Sequence, residues 1–442
     1  MNKPIRLHPS FYYLIGTQTL SNAADIIYIM GIVSLVMAGT DSILAGVFVP
    51  FFRSSSQLLS GLVASLMLVR FRLARLLLFC QFGQFVIFAV LALYLWVSRE
   101  QASLPLIFTL IFAMSFLDGW TTPARNSLVP RLVHRDELLR ANGMVSVSDQ
   151  IIRCAGWAMG GILVAWIGAL PTLMLAGIFY AVAMVFTAFI REPQTAEVEN
   201  SANAVDAPVI AQRGEAAAPD DEQIAPAPAS SEREYIKTLT EGWQLIWRKP
   251  KIRTLIFMDM VDMLGGSVWV GAFILAFVVQ VLHQGEEWWG FINTAYFAGA
   301  IGGGLLVVGL VRWLNGREFR AMLLGIGIYS ILTLVFAVTT NPYISLLLVV
   351  AMGPVAELAA VNRRTLLQLS VTREQLPKLL SAQDATLNFT FCISLLIMGW
   401  IAEQFGIVNL YLLAGIMSVC ALVVGLLSRS AFRQKETISH HG

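Results

Sequence analysis

The chain has 442 residues, of which 57% are hydrophobic and 13% charged, with a net charge of +2 and a mean hydropathy of +0.70. Soluble domains carry about 25% charged residues, so a water-soluble globular protein is excluded. The basic residues border apolar runs instead of forming a patch of their own, which offers nothing to nucleic acid, and Cys80, Cys154, Cys392 and Cys420 all lie within apolar runs and read as small buried hydrophobes.

A helix needs about 20 residues to cross the hydrocarbon. By that measure the apolar runs predict twelve spans, near 11–39, 42–69, 74–97, 105–124, 138–168 and 171–190, then 254–282, 287–311, 319–339, 343–362, 379–403 and 408–428. The opening MNKPIRLHPS is short and the run behind it too long for a cleaved signal, so the first run is expected to stay in the membrane. Of the 30 Lys and Arg residues, all but three sit at the termini or on the side of every second gap; Arg99 falls in the other gaps, and Arg53 and Arg153 lie inside runs. Because cytoplasmic loops collect positive charge, the pattern predicts a multi-pass protein of a bacterial inner or plasma membrane with both termini cytoplasmic.

An ionised side chain at bilayer depth costs at least about 2.5–3.5 kcal/mol, so each needs a partner, a water-filled cavity or a function. Asp25 lies near the middle of span one, on a face shared with Ser21 and Asn22 and one turn before Tyr28. It is expected either to sit neutral and hydrogen-bonded or to handle a proton or a cationic substrate. Arg53 of span two, with Ser56 and Gln57 on its face, cannot discharge itself, and Asp25 is its natural anion in a structural or a switching pair. Asp118 occupies the cytoplasmic half of span four, ahead of Trp120 and Arg125. On span five, Asp149 and Arg153 are four residues apart, which predicts an intrahelical pair.

Residues 192–250 form the one long polar segment. Its first part is rich in Ala, Pro and acid with little to bury, which predicts disorder, whereas Tyr235, Leu239, Trp243 and Leu245 or Ile246 recur at helical spacing and predict an amphipathic helix over 231–249 on the cytoplasmic face. The segment divides a six-helix unit at 1–191 from a second at 251–442. On span seven, Asp259 and Asp262 share a face and would repel, so one is expected to hold a proton. Glu357 and Asp384, near the inner ends of spans ten and eleven, are expected to brace the Arg363 and Arg364 loop as gate ion pairs, with Arg125 in the matching loop of the first unit. The glycine clusters at 156–161 and 299–304 let helices approach closely. The histidines are terminal or in short loops and suggest no metal site.

The two units repeat. An offset of 238 pairs Arg125 with Arg363, Ser127 with Thr365, Leu128 with Leu366, Arg135 with Arg373 and Asp136 with Glu374, and nearly the same offset brings Asp25 onto Asp262. Two six-span repeats about a membrane-normal axis are a transporter architecture.

Three stretches carry a family resemblance: QTLSNAADIIY in span one, PARNSLVP at 123–130 followed by LLRAN at 138–142, and RRTLLQLSVTREQL at 363–376. Over essentially the whole chain apart from the linker, the sequence resembles the major facilitator superfamily, and within it the drug and siderophore exporters of the macrolide-efflux type. The resemblance implies an all-α membrane fold of twelve transmembrane helices in two pseudo-symmetric six-helix bundles. Ser65 stands where the family's loop between spans two and three carries Asp, and Trp157 stands where its span-five antiporter signature carries Pro.

The resulting expectation is a transporter and not an enzyme: secondary active efflux of a drug-like amphipathic compound by proton antiport, with a role in antibiotic resistance. Asp25 is the leading proton-coupling group, followed by Asp262 and Asp118. Cargo is expected between the halves, on surfaces lined by Tyr28, Phe52, Arg53, Gln57, Trp120, Trp269 and Tyr296, whose rings give broad apolar contact. The alternative is an anionic or lipid-like metabolite, such as a siderophore or lysophospholipid, with Arg53 and Arg153 as anion contacts; a transporter-shaped sensor is a third. The expected partners are a small molecule, protons and membrane lipids, for a monomer without metal or cofactor. A phosphate-cradling G-x-x-x-x-G-K-S/T loop does not occur.

Overall fold

The computed structural model describes residues 9–98, 102–133, 138–191, 241–309, 316–372 and 375–429. The predicted disorder at 192–230, Tyr235, Leu239 and both termini lie outside the described residues. A first half comprises α1 (Pro9–Thr40), α2 (Ile43–Arg70), α3 (Leu73–Ser98), α4 (Leu104–Leu132), α5 (Leu138–Ile167) and α6 (Ala169–Ala188). The short helix α7 covers 241–248. The second half holds α8 (Pro250–Gly266), a 3-10 turn (Ser267–Trp269), α9 (Gly271–Gln280), α10 (Glu287–Gly309), α11 (Glu318–Val338), α12 (Pro342–Leu369), α13 (Leu376–Phe405) and α14 (Ile407–Leu427).

Ten helices are long and apolar enough to cross a membrane, and the bent pair α8–α9 makes an eleventh. The remaining long helix, α2, has 28 residues and carries the polar run from Arg53 to Gln57. Large apolar side chains face outward without protein cover, among them Trp166 at 85% and Leu305 at 72% exposure. Such a surface would drive association in water, whereas lipid is its matched solvent. The chain is an all-α, multi-pass membrane protein.

Two elements differ from the spans predicted by hydropathy. α4 runs on to Leu132 through Pro123 and Pro130, and α12 runs on to Leu369, so the repeated arginine motif is helical in both halves and not a loop. Hydropathy ends where the apolar run ends, but a helix continues wherever its backbone stays bonded. The seventh span is broken, with α8 and α9 meeting at 51°. At the break Val270 is extended, and the freed carbonyl of Val268 accepts the Tyr411 hydroxyl at 3.0 Å. Ser267 bonds Ser394 at 2.7 Å. Interrupted backbone is tolerated at membrane depth when side chains satisfy it in this way. The break turns Trp269 into a cluster with Phe336 and Tyr411, at ring distances of 5.0 and 5.4 Å.

Of the cysteines, Cys80 and Cys392 are buried, Cys154 is partly so, and Cys420 is exposed, so the expectation of four buried thiols is corrected at the last position. Helix α7 packs on α13: Trp243 donates to Thr386 at 3.2 Å, Glu241 pairs with Lys378, and Ile246 is buried while Trp247 faces outward at 71% exposure. Lys249, just beyond it, donates to the Ser370 carbonyl at 3.0 Å.

The halves meet on the side away from the basic loops. Glu286 accepts from Ser34; Glu403 accepts from the Ser42 hydroxyl and the Leu44 amide at 3.2 and 3.1 Å. Deeper, Thr294 donates to the Cys154 carbonyl at 3.3 Å, and Ser55 lies 3.7 Å from the Cys392 sulfur. Among the described residues, no hydrogen bond joins the halves closer to the basic side than these. The halves are therefore joined by hydrogen bonds on the side away from the basic loops and at mid-depth.

Glycine makes part of this seam possible. A Cβ on Gly161 of α5 would lie 3.0 Å from the Gly290 Cα of α10, and one on Gly290 would lie 2.5 Å from the Trp157 carbonyl oxygen. Small residues at such crossings let helix backbones touch. Gly290→Val should therefore lower stability by about 1–3 kcal/mol through overpacking. Gly302→Val, where an added Cβ meets nothing within 4 Å, should stay within about 0.5 kcal/mol of the parent. Thermal unfolding of both variants in the same detergent checks this; equal melting points would remove the close crossing as a constraint.

Candidate functional site

Each half buries one arginine between two carboxylates. In the first, Arg53 of α2 donates from Nη2 to Asp25 of α1 at 2.8 Å and reaches Asp118 of α4 at 3.4 Å. Tyr180 of α6 donates to the other oxygen of Asp25. Asp118 is further held by Gln57 at 2.8 Å, Thr121 at 3.0 Å and Gln84 at 3.5 Å. A guanidinium offers five donors and cannot lose its charge inside lipid, so it gathers anions from whichever helices surround it. The expected Asp25–Arg53 pair is present, and Asp118 is part of the same knot.

In the second half, Arg363 of α12 takes both acids of α8: Nη1 binds Asp259, and Nη2 reaches Asp262 at 3.3 Å. Gln383 donates to the other oxygen of Asp259 at 2.9 Å. A cation thus lies between the two like charges that were expected to repel. Of the expected gate groups, Arg363 pairs with the acids of α8 instead, Glu357 makes no ion pair among the described residues, and exposed Asp384 has Arg364 in its neighbourhood but outside ion-pair distance.

The predicted intrahelical pair on α5 is not formed either. Asp149 accepts two bonds from Gln18 at 2.9 Å each and one from Asn22 at 2.8 Å, all from α1, while Arg153 is exposed. Neutral amides on a neighbouring helix satisfy this carboxylate before the arginine one turn away can. Arg125 of α4 is buried, donates to Thr122 at 3.3 Å, and keeps its Nη1 without a hydrogen-bond partner.

The expected lining residues fall into separate places. Trp269 and Tyr296 line a cavity of about 360 Å³ in the second half, together with Asp259, Asp262, Arg363 and Tyr329. Tyr28 is fully buried, edge-on to Phe88 at 5.7 Å, and so belongs to the core. Phe52 stacks on Phe108 at 5.2 Å, and Trp120 packs on Phe116 while its indole donates to the Ser60 carbonyl at 3.1 Å. Gln57 serves Asp118.

Sequence reasoning missed Tyr180, Gln84 and Tyr329, which sit in apolar runs without a local polar pattern, and Asn293, which shares the cavity. It also missed Glu286 and Glu403, which stand at outer span ends where carboxylates are ordinary. Among the described residues, no group of three or more His, Cys, Asp or Glu side chains could hold a metal ion.

Comparison with known proteins bears on this arrangement. The sequence profile of the Major Facilitator Superfamily matches residues 10–353. An uncharacterized MFS-type transporter of Bacillus subtilis, YfmI, is 28% identical over 425 residues, covering 96% of this chain and 97% of its own. Among solved structures, a bacterial homologue of the iron transporter ferroportin in an inward-facing state superposes with a TM-score of 0.69 at 14% identity, covering 95% of this chain and 98% of that one. The nucleoside transporter NupG gives 0.67 at 12%, covering 96% and 99%. At such identities the likeness shows the fold.

Arg53→Gln leaves two partly buried carboxylates facing one another, so it should destabilise by about 3 kcal/mol or more. Adding Asp25→Asn should recover part of that loss, because the pair is coupled and its members do not add. Thermal or denaturant unfolding of the two singles and the double completes the cycle; strictly additive losses would show that the bond carries no coupling.

Proposed function

The chain belongs to the major facilitator superfamily, a family of secondary transporters, and from that premise we propose that it carries an amphipathic, lipid-like metabolite across the membrane by alternating access. The observation that carries this reading is the composition of the second-half cavity. Broad drug recognition needs apolar surface with few directional demands, whereas here Trp269, Tyr296 and Tyr329 share one small space with Asp259, Asp262, Arg363 and Asn293. An apolar body against the rings and a polar head against the charged wall match that division. The seam joined on the side away from the basic loops supports alternating access, with this cavity reached from the cytoplasm.

Proton coupling belongs to the first-half knot in this proposal. Asp25 and Asp118 outnumber Arg53, so the knot can accept one proton and stay paired. When Asp25 takes the proton, Arg53 keeps Asp118; when it releases it, Arg53 bridges both acids and binds α1, α2 and α4 together. Drug-like efflux is the second reading, favoured by the aromatic cavity wall alone.

The test is transport in proteoliposomes under an imposed pH gradient, using a panel of lysolipids and of drug-like amphiphiles. The wild type should move a lysolipid in preference to the drugs, and Asp25→Asn should lose gradient-driven transport while retaining cargo binding. Gradient-driven transport that is unchanged in Asp25→Asn would remove Asp25 from coupling, and a preference for the drug panel would replace the metabolite reading with efflux.

A further inference from the structure

We propose that the second-half cavity reads a cationic head group, an ammonium, on the transported molecule; this rests on the reading of the chain as a carrier of an amphiphile. Asp259 has both oxygens engaged, by Arg363 and by Gln383 at 2.9 Å, and is 4% exposed. That pair neutralises itself. Asp262 keeps only the longer contact to Arg363 at 3.3 Å and one from Ser418 at 3.4 Å, and it is 31% exposed where it lines the cavity. Two carboxylates therefore share one guanidinium, and Asp262, on the longer contact, is the one that faces the cavity more openly. Glu357, six residues before Arg363 on α12 and only partly buried, has no ion-pair partner among the described residues and adds to the negative field.

The other walls favour the same sign. Trp269, Tyr296, Phe297 and Tyr329 surround the space with aromatic rings. A cation over such faces gains about 0.5–2 kcal/mol. An anion would meet Asp262 and find the nearest guanidinium already bound by two carboxylates. A volume of about 360 Å³ lies at the small end of ligand cavities, suited to a head group with a short stretch of chain. The assignment reverses the expectation of an anionic cargo held by Arg53 and Arg153: Arg53 is occupied by two acids, and Arg153 lies outside this cavity.

The test titrates the full-length protein in nanodiscs with three short probes of equal tail, hexyltrimethylammonium, hexyl sulfate and hexanol, followed by calorimetry. Hexyltrimethylammonium should bind about tenfold or more tighter than hexyl sulfate, a difference of about 1.4 kcal/mol. Asp262→Asn should abolish that preference, and Asp262→Glu, which keeps the charge, should retain it. Tyr296→Leu provides a reading that leaves the ion pairs intact: it should weaken the ammonium probe more than hexanol. Equal or tighter binding of hexyl sulfate to the wild type, or an unchanged preference in Asp262→Asn, overturns the assignment. If the sulfate probe wins while proteoliposomes still carry a lysolipid, only the head-group assignment falls; if no amphiphile is transported, the carrier reading itself falls.

Discussion

A guanidinium inside a bilayer cannot shed its proton, and the rest of this molecule is arranged around that fact. Burying it unpaired would cost several kcal/mol, and each buried carboxylate beside it would cost a comparable amount alone. The solution in both halves is a knot of one arginine and two acids, the acids coming from two helices in the first half and from one in the second. Arg53 ties α2 to α1 and α4, and Arg363 ties α12 to α8. Each knot carries one more acid than base. In the proposed mechanism that surplus is what the protein exchanges, a proton at Asp25 or a positively charged head group at Asp262.

The internal repeat makes the two knots comparable and shows where they diverged. At an offset of 237, Asn22 and Asp25 of α1 stand opposite Asp259 and Asp262 of α8, and at 238 Arg125 stands opposite Arg363. In the second half, that arginine holds both acids. In the first half, one acid position is Asn, the other has been taken by Arg53, and position 291, opposite Arg53, is Phe. Arg125 is thereby left buried with an unpartnered Nη1, while Asn22 turns to Asp149. The first half engages Asp25, Asp118 and Asp149 with neighbouring side chains, and in the second Asp259, Asp262 and Arg363 line a cavity.

The spans, the repeat and the Asp25–Arg53 bond were legible because depth in the membrane and helical periodicity are both written locally. Partner choice was not. Asp149 and Arg153 share a helix face, yet two amides on α1 offered the acid a better shell. Asp259 and Asp262 read as a repelling pair because their cation lies about a hundred positions further on. Tyr28 follows Asp25 by one turn but packs into the core, since a period of 3.6 drifts around the helix and does not say where a cavity wall ends. The break after Gly266 was invisible to hydropathy, because the carbonyl it frees is satisfied by Tyr411, distant in sequence.

The distribution of strong and weak bonds has a mechanical consequence. The ion pairs among the described residues lie within one half or between α7 and α13, whereas across the seam the halves meet through apolar packing, Trp157 against Trp289 among it, and through hydrogen bonds to Glu286 and Glu403 and at mid-depth. A net hydrogen bond is worth about 0.5–1.5 kcal/mol, rising to about 1.5–3 kcal/mol when one partner is charged, while breaking a buried ion pair costs about 3–5 kcal/mol. Parting the seam therefore breaks hydrogen bonds and apolar contacts but no ion pair, and it leaves both knots intact. Ion pairs within each half and none between them suit the proposed alternating access, and those ties come from the same arginines that hold the surplus acids.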